Sequence, residues 1–153
     1  LFLHACFLHA CGDACMNAVA RLVRLPALPS AASNITMAAL AVGALPERVP
    51  QFVLLLLGSA AMYMAGMALN DWYDQDEDRR ERPERPIPSG ELTSRQAAWI
   101  GFGLLAVGVI LASLAASAWL AILLAALIVL YNGAAKKGWL GPIVMGACRA
   151  VHV

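Results

Sequence analysis

The chain has 153 residues, of which 61% are hydrophobic and 14% are charged, and its net charge at neutral pH is +1. Soluble domains carry about a quarter charged residues, and the charges here are concentrated in one stretch, so the composition excludes an ordinary soluble domain and predicts an integral membrane protein. The sequence contains no basic patch that would indicate a nucleic-acid partner.

The sequence does not indicate a function for residues 1–20. The segment FLHAC occurs at residues 2–6 and again at residues 7–11, and it lacks the preceding basic segment that is typical of a signal peptide. We therefore expect residues 1–20 to be a leader, poorly ordered or derived from sequence upstream of the true start. We expect residues 21–153 to form the membrane domain.

Residues 25–45 and 51–69 predict the first two membrane-spanning helices, because about 20 apolar residues rising ~1.5 Å each cross a bilayer. Arg24 precedes the first helix, and Asn34 belongs to a polar stripe near the same end. Polar groups at membrane depth face protein or a cavity. Two interpretations of Asn34 therefore remain open, helix packing and contact with a substrate.

An acidic block follows the second span and contains eight of the ten Asp and Glu residues. Asp71, Asp74 and Asp78 are spaced three and then four residues apart, so a helix would place their carboxylates on one face. Asn70 lies at the edge of the same arc. We expect the helix of the second span to continue through these residues until Pro83 stops it.

Three carboxylates on one face repel each other unless a cation lies between them, and Mg²⁺ prefers a few carboxylates together with phosphate oxygens and waters. Arginines, which suit phosphate, follow at once and end at Arg85. The block therefore predicts a diphosphate held through Mg²⁺. A solvated, self-neutralising loop remains an alternative. An EF-hand is excluded because Arg79 and Arg85 stand where its loop requires Gly and Glu.

The second half of the chain predicts three further helices. Residues 93–96 read T-S-R-Q, a capping box that predicts a helix start. The forty residues 96–135 carry no charge and would measure about 60 Å as one helix, so they predict two spans with a turn near residues 113–118. A fifth span begins near Pro142. The predicted fold class is all-α, a multi-span transmembrane helix bundle with about four complete spans plus the start of a fifth.

The basic residues predict the orientation of the bundle. Nine of them fall on one predicted side of the membrane and Arg48 falls on the other, so the positive-inside rule places the acidic block in the cytoplasm. We expect a bacterial cytoplasmic membrane. The nine residues are Arg21, Arg24, Arg79, Arg80, Arg82, Arg85, Arg95, Lys136 and Lys137.

The pattern N-D-x-x-D-x-x-x-D, formed by Asn70, Asp71, Asp74 and Asp78, resembles the first aspartate-rich motif of the UbiA superfamily of intramembrane prenyltransferases. The segment RPIPSG at residues 85–90 is similar to the RPxxxG turn that follows this motif in the family. The two motifs occur in the family's order and lie between apolar helices.

Two further features carry the resemblance. Arg24 and Pro26 resemble the R-x-P start of the family's first helix. Tyr131 and Lys136 resemble the Tyr-then-Lys pair at the end of its fourth helix, although the gap here is one residue longer than the common form. The longer gap leaves open whether Lys136 or Lys137 contacts phosphate.

The resemblance implies a helical bundle that holds the diphosphate of an allylic isoprenoid through Mg²⁺ and transfers the isoprenyl group to an aromatic or lipid-like acceptor within the membrane. It implies that Asp71, Asp74 and Asp78 hold the metal and are catalytic. Together with the polar stripe of the first helix, it implies substrate contacts from Asn70, Arg85, Tyr131, Lys136, Arg24 and Asn34.

The chain also departs from the family. About half of the family's length is represented, and no acidic residue follows Glu91, so the second aspartate-rich motif is missing. We therefore expect residues 21–153 to be the N-terminal half of a prenyltransferase and the chain by itself to be inactive. Two alternatives remain: a non-catalytic membrane scaffold or carrier fragment, and an enzyme like the phosphatidyl-alcohol transferases, whose D-G-x-x-A-R motif the sequence lacks.

Overall fold

A computed structural model describes residues 12–41, 48–136 and 139–152. Within these ranges every regular element is helical, which confirms the predicted all-α class. A 3-10 turn, Leu25–Ala27, precedes the second helix, and a π-helical turn, Tyr131–Ala135, follows the sixth. The α-helices are α1 (Gly12–Leu22), α2 (Leu28–Ala41), α3 (Val49–Tyr73), α4 (Gln75–Glu81), α5 (Ser94–Ala115), α6 (Ala118–Leu130) and α7 (Gly141–His152).

Two of the described helices, α3 with 25 residues and α5 with 22 residues, are long and apolar enough to cross a membrane. Helices α6 and α7 are apolar but shorter, and α2 has 14 residues. The end of the first predicted span falls in residues 42–47, outside the described residues. The sequence predicted about four complete spans. Two of the described helices, α3 and α5, have the full length of a membrane span, and the other apolar helices are shorter.

The antiparallel pair of α3 and α5 forms the centre of the bundle. A Cβ atom added to Gly108 would lie 2.6 Å from Met62 Cγ and 3.0 Å from the Gly58 carbonyl oxygen. Small residues permit this close approach of two backbones, which stabilises helix pairs in membranes. At the start of α5 the predicted capping box is confirmed, with Thr93 Oγ1 accepting from the Gln96 amide at 3.2 Å. The predicted turn between α5 and α6 is also confirmed, since α5 ends at Ala115.

Helix α1 packs against the loop that follows α4. Ala18 and Leu22 are fully buried in one cluster with Ile87 and Leu92, so an apolar face of α1 covers this loop. The expected boundary between residues 20 and 21 lies inside α1, which runs from Gly12 to Leu22. Buried residues of this helix, Ala18 and Leu22, lie on both sides of that boundary. The rest of the expected leader, residues 1–11, lies outside the described residues.

The helix predicted to run without interruption to Pro83 is broken at Asp74. Helix α3 ends at Tyr73, Asp74 adopts φ −93° and ψ 5°, and α4 runs from Gln75 to Glu81. The Asp74 amide still donates to the Asn70 carbonyl at 3.0 Å. The interruption is therefore a single residue, and it lies in the middle of the aspartate motif, where the spacing rule alone gives no reason for a break.

Candidate functional site

Asp71 and Asp78 share one guanidinium group. Arg85 Nη1 donates to Asp71 Oδ1 at 3.0 Å and to Asp78 Oδ2 at 2.6 Å. Both carboxylates are 5% exposed and the Arg85 side chain is 16% exposed. The loop after α4 returns Arg85 to the helix, because Ile87 and Leu92 are anchored in the cluster with α1. Charge-assisted hydrogen bonds of this kind are stronger than neutral ones.

Asp74 has a different cationic partner, which comes from the other end of the described chain. Lys136 Nζ forms an ion pair with Asp74 Oδ2 and donates to Asn70 Oδ1 at 3.0 Å. Asn70 Nδ2 in turn donates to Asp71 Oδ1 at 3.4 Å. Asn70 therefore links the Lys136 pair to the Arg85 pair. Lys137 lies outside the described residues.

A π-helical turn brings Lys136 to this place. The Lys136 amide donates to the Tyr131 carbonyl at 3.0 Å, a bond that spans five residues. π-Helical turns are rare in proteins, and many of those that occur are found at functional sites. The turn contains one residue more between Tyr131 and Lys136 than an α-helical turn would.

Arg24 approaches the same carboxylates from the start of the first predicted span. Its backbone has φ 51° and ψ 50°, and it is the one non-glycine residue with positive φ in the part of the chain that the structure describes. Its Nη2 lies 3.5 Å from Asp71 Oδ1. A left-handed conformation is unfavourable for an Arg residue, and such strain clusters at functional sites.

A cavity of about 410 Å³ opens beside this polar cluster. Its apolar wall comes mainly from α3, α6 and α7. The lining residues of this wall include Met62, Tyr63, Met67, Leu124, Ile128 and Met145. Its polar lining includes Arg24, Ser30, Asn34, Asn70, Tyr131, Asn132 and Arg149. The cavity therefore offers an apolar body and a polar, cationic end.

A second cavity of about 230 Å³ lies between Asp74 and the π-helical turn. Asn132 lines both cavities, is 8% exposed, and donates through Nδ2 to the Ile128 carbonyl at 3.0 Å. The sequence analysis did not select Asn132. An Asn within an otherwise apolar span would have been the signal, since such residues face protein or a cavity. The remaining lining residues are Tyr73, Asp74, Gly133, Ala134 and Lys136.

The structure brings all nine sequence-predicted residues to one end of the bundle or to its cavities. Asp71, Asp78 and Arg85 form one ionic group. Asp74, Asn70 and Lys136 form the other. Arg24 contacts the first group, and Arg24, Asn34 and Tyr131 line the larger cavity.

The donor atoms present suit a hard divalent cation. Three carboxylates and the Asn70 carbonyl are the oxygen ligands that Mg²⁺ prefers, and Mg²⁺ usually takes one or two carboxylates plus phosphate oxygens and waters. Within the described ranges, no three His, Cys, Asp or Glu side chains lie close enough to hold one metal ion. The residues thus match Mg²⁺ by donor type, although their side chains do not converge on one point as a ready-made metal site.

Residues 28–153 match the family model for the UbiA prenyltransferase family. The chain belongs to this family. The resemblance seen in the aspartate motif and in the RPIPSG segment is thereby confirmed.

Similar proteins include archaeal relatives of the UbiA family. The chain is 44% identical over 64 residues to digeranylgeranylglyceryl phosphate synthase of Metallosphaera sedula, an overlap of 42% of this chain and 22% of the relative. It is 37% identical over 75 residues to the synthase of Thermococcus kodakarensis, which is 47% of this chain and 26% of the relative. The chain thus matches about a quarter of the length of these relatives.

A solved structure described as concerning digeranylgeranylglyceryl phosphate synthase in membranes has the same fold. It matches 90% of this chain with a TM-score of 0.84 and 21% identity, and the chain covers 50% of it. At this identity the likeness shows the fold alone, and it confirms the helical membrane bundle of the UbiA family. The chain is therefore an integral membrane protein. The relatives are archaeal, so they do not support the expected bacterial membrane.

Proposed function

We propose that this chain forms the donor-binding part of a Mg²⁺-dependent enzyme that transfers an isoprenyl group from an allylic diphosphate to a lipid-like acceptor. The observation that carries this proposal is that Arg24 and Asn70, which contact the ionic groups around Arg85 and Lys136, also line a cavity with an apolar wall. An isoprenyl diphosphate has the same division into an apolar chain and an anionic head.

The larger cavity is the proposed donor site. Met62, Met67 and Ile128 in its wall suit a branched hydrocarbon chain, and burial of that chain contributes about 25 cal/mol per Å². Arg24 and Asn70 at its polar end suit the diphosphate, since guanidinium and amide groups donate hydrogen bonds to phosphate oxygens.

Asp71, Asp74 and Asp78 are the proposed metal ligands, with Asn70 as a supporting carbonyl. When bound, Mg²⁺ would neutralise charge on the diphosphate. The cationic groups of Arg85 and Lys136 lie next to these carboxylates, where they can donate to phosphate oxygens. Such donors stabilise charge that grows on a leaving group.

The reaction breaks the bond between the allylic carbon and the diphosphate oxygen, and both electrons leave with the pyrophosphate. The acceptor then supplies the electron pair for the new bond and loses a proton. Tyr131 and the apolar wall of the cavity would exclude water from the allylic cation, which would otherwise be hydrolysed.

The acceptor class is proposed from the names of the relatives. Their names describe synthesis of a glyceryl phosphate that carries geranylgeranyl groups, so we propose a glyceryl phosphate lipid as acceptor. An aromatic acceptor is the alternative, and an assay with both acceptor classes distinguishes them.

Binding of tritiated geranylgeranyl diphosphate to the purified chain in lipid nanodiscs, with and without Mg²⁺, tests the donor site. Asp74→Ala is expected to weaken Mg²⁺-dependent binding about tenfold or more, because one charge-assisted contact is worth roughly 1.5–3 kcal/mol. Asp76→Ala is the matched control, since the Asp76 side chain is 85% exposed and pairs with Arg79. Equal binding by Asp74→Ala and the parent chain would refute the metal-site assignment.

The 153-residue chain alone is proposed to be inactive in prenyl transfer, because no acidic residue after Glu91 can serve as a second metal motif. Membranes containing this chain, labelled donor and either acceptor are expected to yield no prenylated lipid. Formation of labelled product would contradict this part of the proposal and leave the donor site intact.

The site is proposed to face the cytoplasm. Glu81 is exposed at the end of α4, so a Glu81→Cys variant reports its side of the membrane. We expect this cysteine to react with a membrane-impermeant maleimide in opened vesicles and not in intact cells. Reaction in intact cells, above the background of the parent chain, would reverse the orientation.

A further inference from the structure

We propose that Arg85 and Lys136 compete with the metal ion for the aspartates, so that the site rejects Mg²⁺ alone and accepts it together with a diphosphate. This inference rests on the proposed function, and it adds a condition on binding that the aspartate motif does not imply.

Arg85 takes the place that a shared metal ion would need. Its Nη1 lies 3.0 Å from an Asp71 oxygen and 2.6 Å from an Asp78 oxygen. These two oxygens would be free to hold a metal ion only if Arg85 moved away from them. Arg85 therefore competes with Mg²⁺ for one oxygen of Asp71 and one oxygen of Asp78.

Lys136 occupies the third carboxylate in the same way. Its ammonium group forms an ion pair with Asp74 and donates a hydrogen bond to Asn70 Oδ1 at 3.0 Å. The Lys136 and Asp74 side chains are 18% and 13% exposed, so this contact is weakly screened by solvent. One carboxylate oxygen of Asp74 and the carbonyl oxygen of Asn70, both candidate metal ligands, are therefore directed at Lys136.

The charges of the site favour joint binding. The three carboxylates of Asp71, Asp74 and Asp78 are matched by three cationic side chains. A divalent cation alone would enter among three positive groups, and a free diphosphate would enter beside three carboxylates. Either ligand alone would displace existing ion pairs and leave groups of its own sign nearby without a counter-charge. When both bind, the metal ion replaces Arg85 and Lys136 on the carboxylates, and the released cations pair with phosphate oxygens.

Electron paramagnetic resonance of Mn²⁺, used in place of Mg²⁺, measures the competition directly on the purified chain in nanodiscs. Inorganic pyrophosphate is the second ligand. We expect the parent chain to bind Mn²⁺ weakly by itself and about tenfold or more tightly when pyrophosphate is present, a coupling within the usual range. Equal Mn²⁺ affinity with and without pyrophosphate, at a site that binds pyrophosphate, would overturn the inference.

Substitution of each competing cation should change the affinity for Mn²⁺ alone and the enhancement by pyrophosphate in opposite directions. Arg85→Gln is expected to tighten binding of Mn²⁺ alone about tenfold, because removal of one adjacent positive charge favours a cation by that order, and to reduce the enhancement by pyrophosphate. Lys136→Gln is expected to act in the same direction through Asp74. The matched control is Arg79→Gln, which removes the same charge from an exposed pair with Asp76 and should leave both affinities unchanged.

The outcomes distinguish this inference from the proposed function. If Arg85→Gln and Lys136→Gln bind Mn²⁺ alone no more tightly than the parent, the competition is refuted while the donor site stands. If the parent fails to bind pyrophosphate with Mn²⁺ at all, the proposed function fails, and the inference that rests on it fails too. Where Arg85→Gln does not fold, as judged by circular dichroism, Lys136→Gln and the parent titration decide.

Discussion

The middle of α3 and its polar end are built by opposite means. In the middle, α3 meets α5 through glycine backbones, with a Cβ at Gly58 placed only 3.1 Å from the Ala112 amide nitrogen. At the end, α3 carries buried carboxylates that contact cations from two distant segments, Arg85 and Lys136. The first region has no spare volume, and the second has charges that can exchange partners.

This difference assigns stability and binding to separate parts of one helix. Close packing of small residues leaves no alternative arrangement, so a change there alters the free energy of unfolding. The ionic groups present charged side chains rather than packed backbones, so we expect a change there to alter affinity for charged ligands. Substitutions in each region should therefore affect different measurements, and the following variants test that separation.

The largest effect is expected for Gly108→Val in the middle of the pair. Its Cβ would lie 3.0 Å from the Gly58 carbonyl oxygen and 3.1 Å from the Met62 amide nitrogen, and backbone atoms cannot move aside as a side chain can. We expect a loss of about 3 kcal/mol in the free energy of unfolding, measured by denaturation in mixed micelles. Gly103→Val is the control, because nothing lies within 4 Å of its Cβ, and an equal loss there would contradict the packing argument.

Asp78→Asn should have the next largest effect, and mainly on binding. The change removes one of the two carboxylates on Arg85 and one proposed metal ligand. We expect Mg²⁺-dependent affinity for geranylgeranyl diphosphate to fall by about 2 kcal/mol, the value of a hydrogen bond to a charged group. Asp76→Asn removes a carboxylate whose side chain is 85% exposed and should change affinity little. A large loss of stability without a loss of affinity would place Asp78 with the packing region instead.

Asn132→Ala is expected to affect both measurements slightly. Its amide donates to the Ile128 and Gly66 carbonyls at 3.0 and 3.5 Å, so its removal should lower the free energy of unfolding by about 1 kcal/mol. Because Asn132 lines both cavities, donor affinity should fall as well. Thermal unfolding and donor binding on the same preparation measure the two effects, and unchanged values for both would show that the residue joins neither region.

The smallest effect concerns the exposed contact between Arg21 and Glu91. The hydrogen bond from Arg21 holds the pKa of Glu91 below its ordinary value. The contact therefore adds stability above the ordinary pKa of a glutamate, and this contribution is lost as the pH falls through the lower pKa of the folded chain. Glu91→Gln should flatten this part of the pH profile of the melting temperature, with donor affinity unchanged. Because the pair is exposed, the change is expected to be small.

Local sequence rules predicted the elements whose cause is itself local. The capping box from Thr93 to Gln96 and the turn after Ala115 follow from residue spacing and from apolar length. The bundle class could be predicted from apolar composition and length, and membership of the UbiA family from the aspartate motif and the RPIPSG segment.

The contacts that complete the site could not be predicted in the same way. The break at Asp74 lies inside a spacing that suits one continuous helix. The pairing of Asp74 with Lys136 joins residues 62 positions apart, and it depends on how α6 packs against α3. The RPIPSG segment singled out Arg85 among four nearby arginines, but its bonds to Asp71 and Asp78 depend on the loop that α1 anchors.

The π-helical turn before Lys136 gives the chain a spare residue. Removal of one residue from an ordinary helix rotates everything beyond it by about 100°. Here the Lys136 amide already reaches the Tyr131 carbonyl across five residues, so loss of Ala134 would turn the same bond into an ordinary α-helical one and leave Lys136 beside Asp74. A chain that is one residue shorter between Tyr131 and Lys136 could therefore keep the ion pair of Lys136 with Asp74.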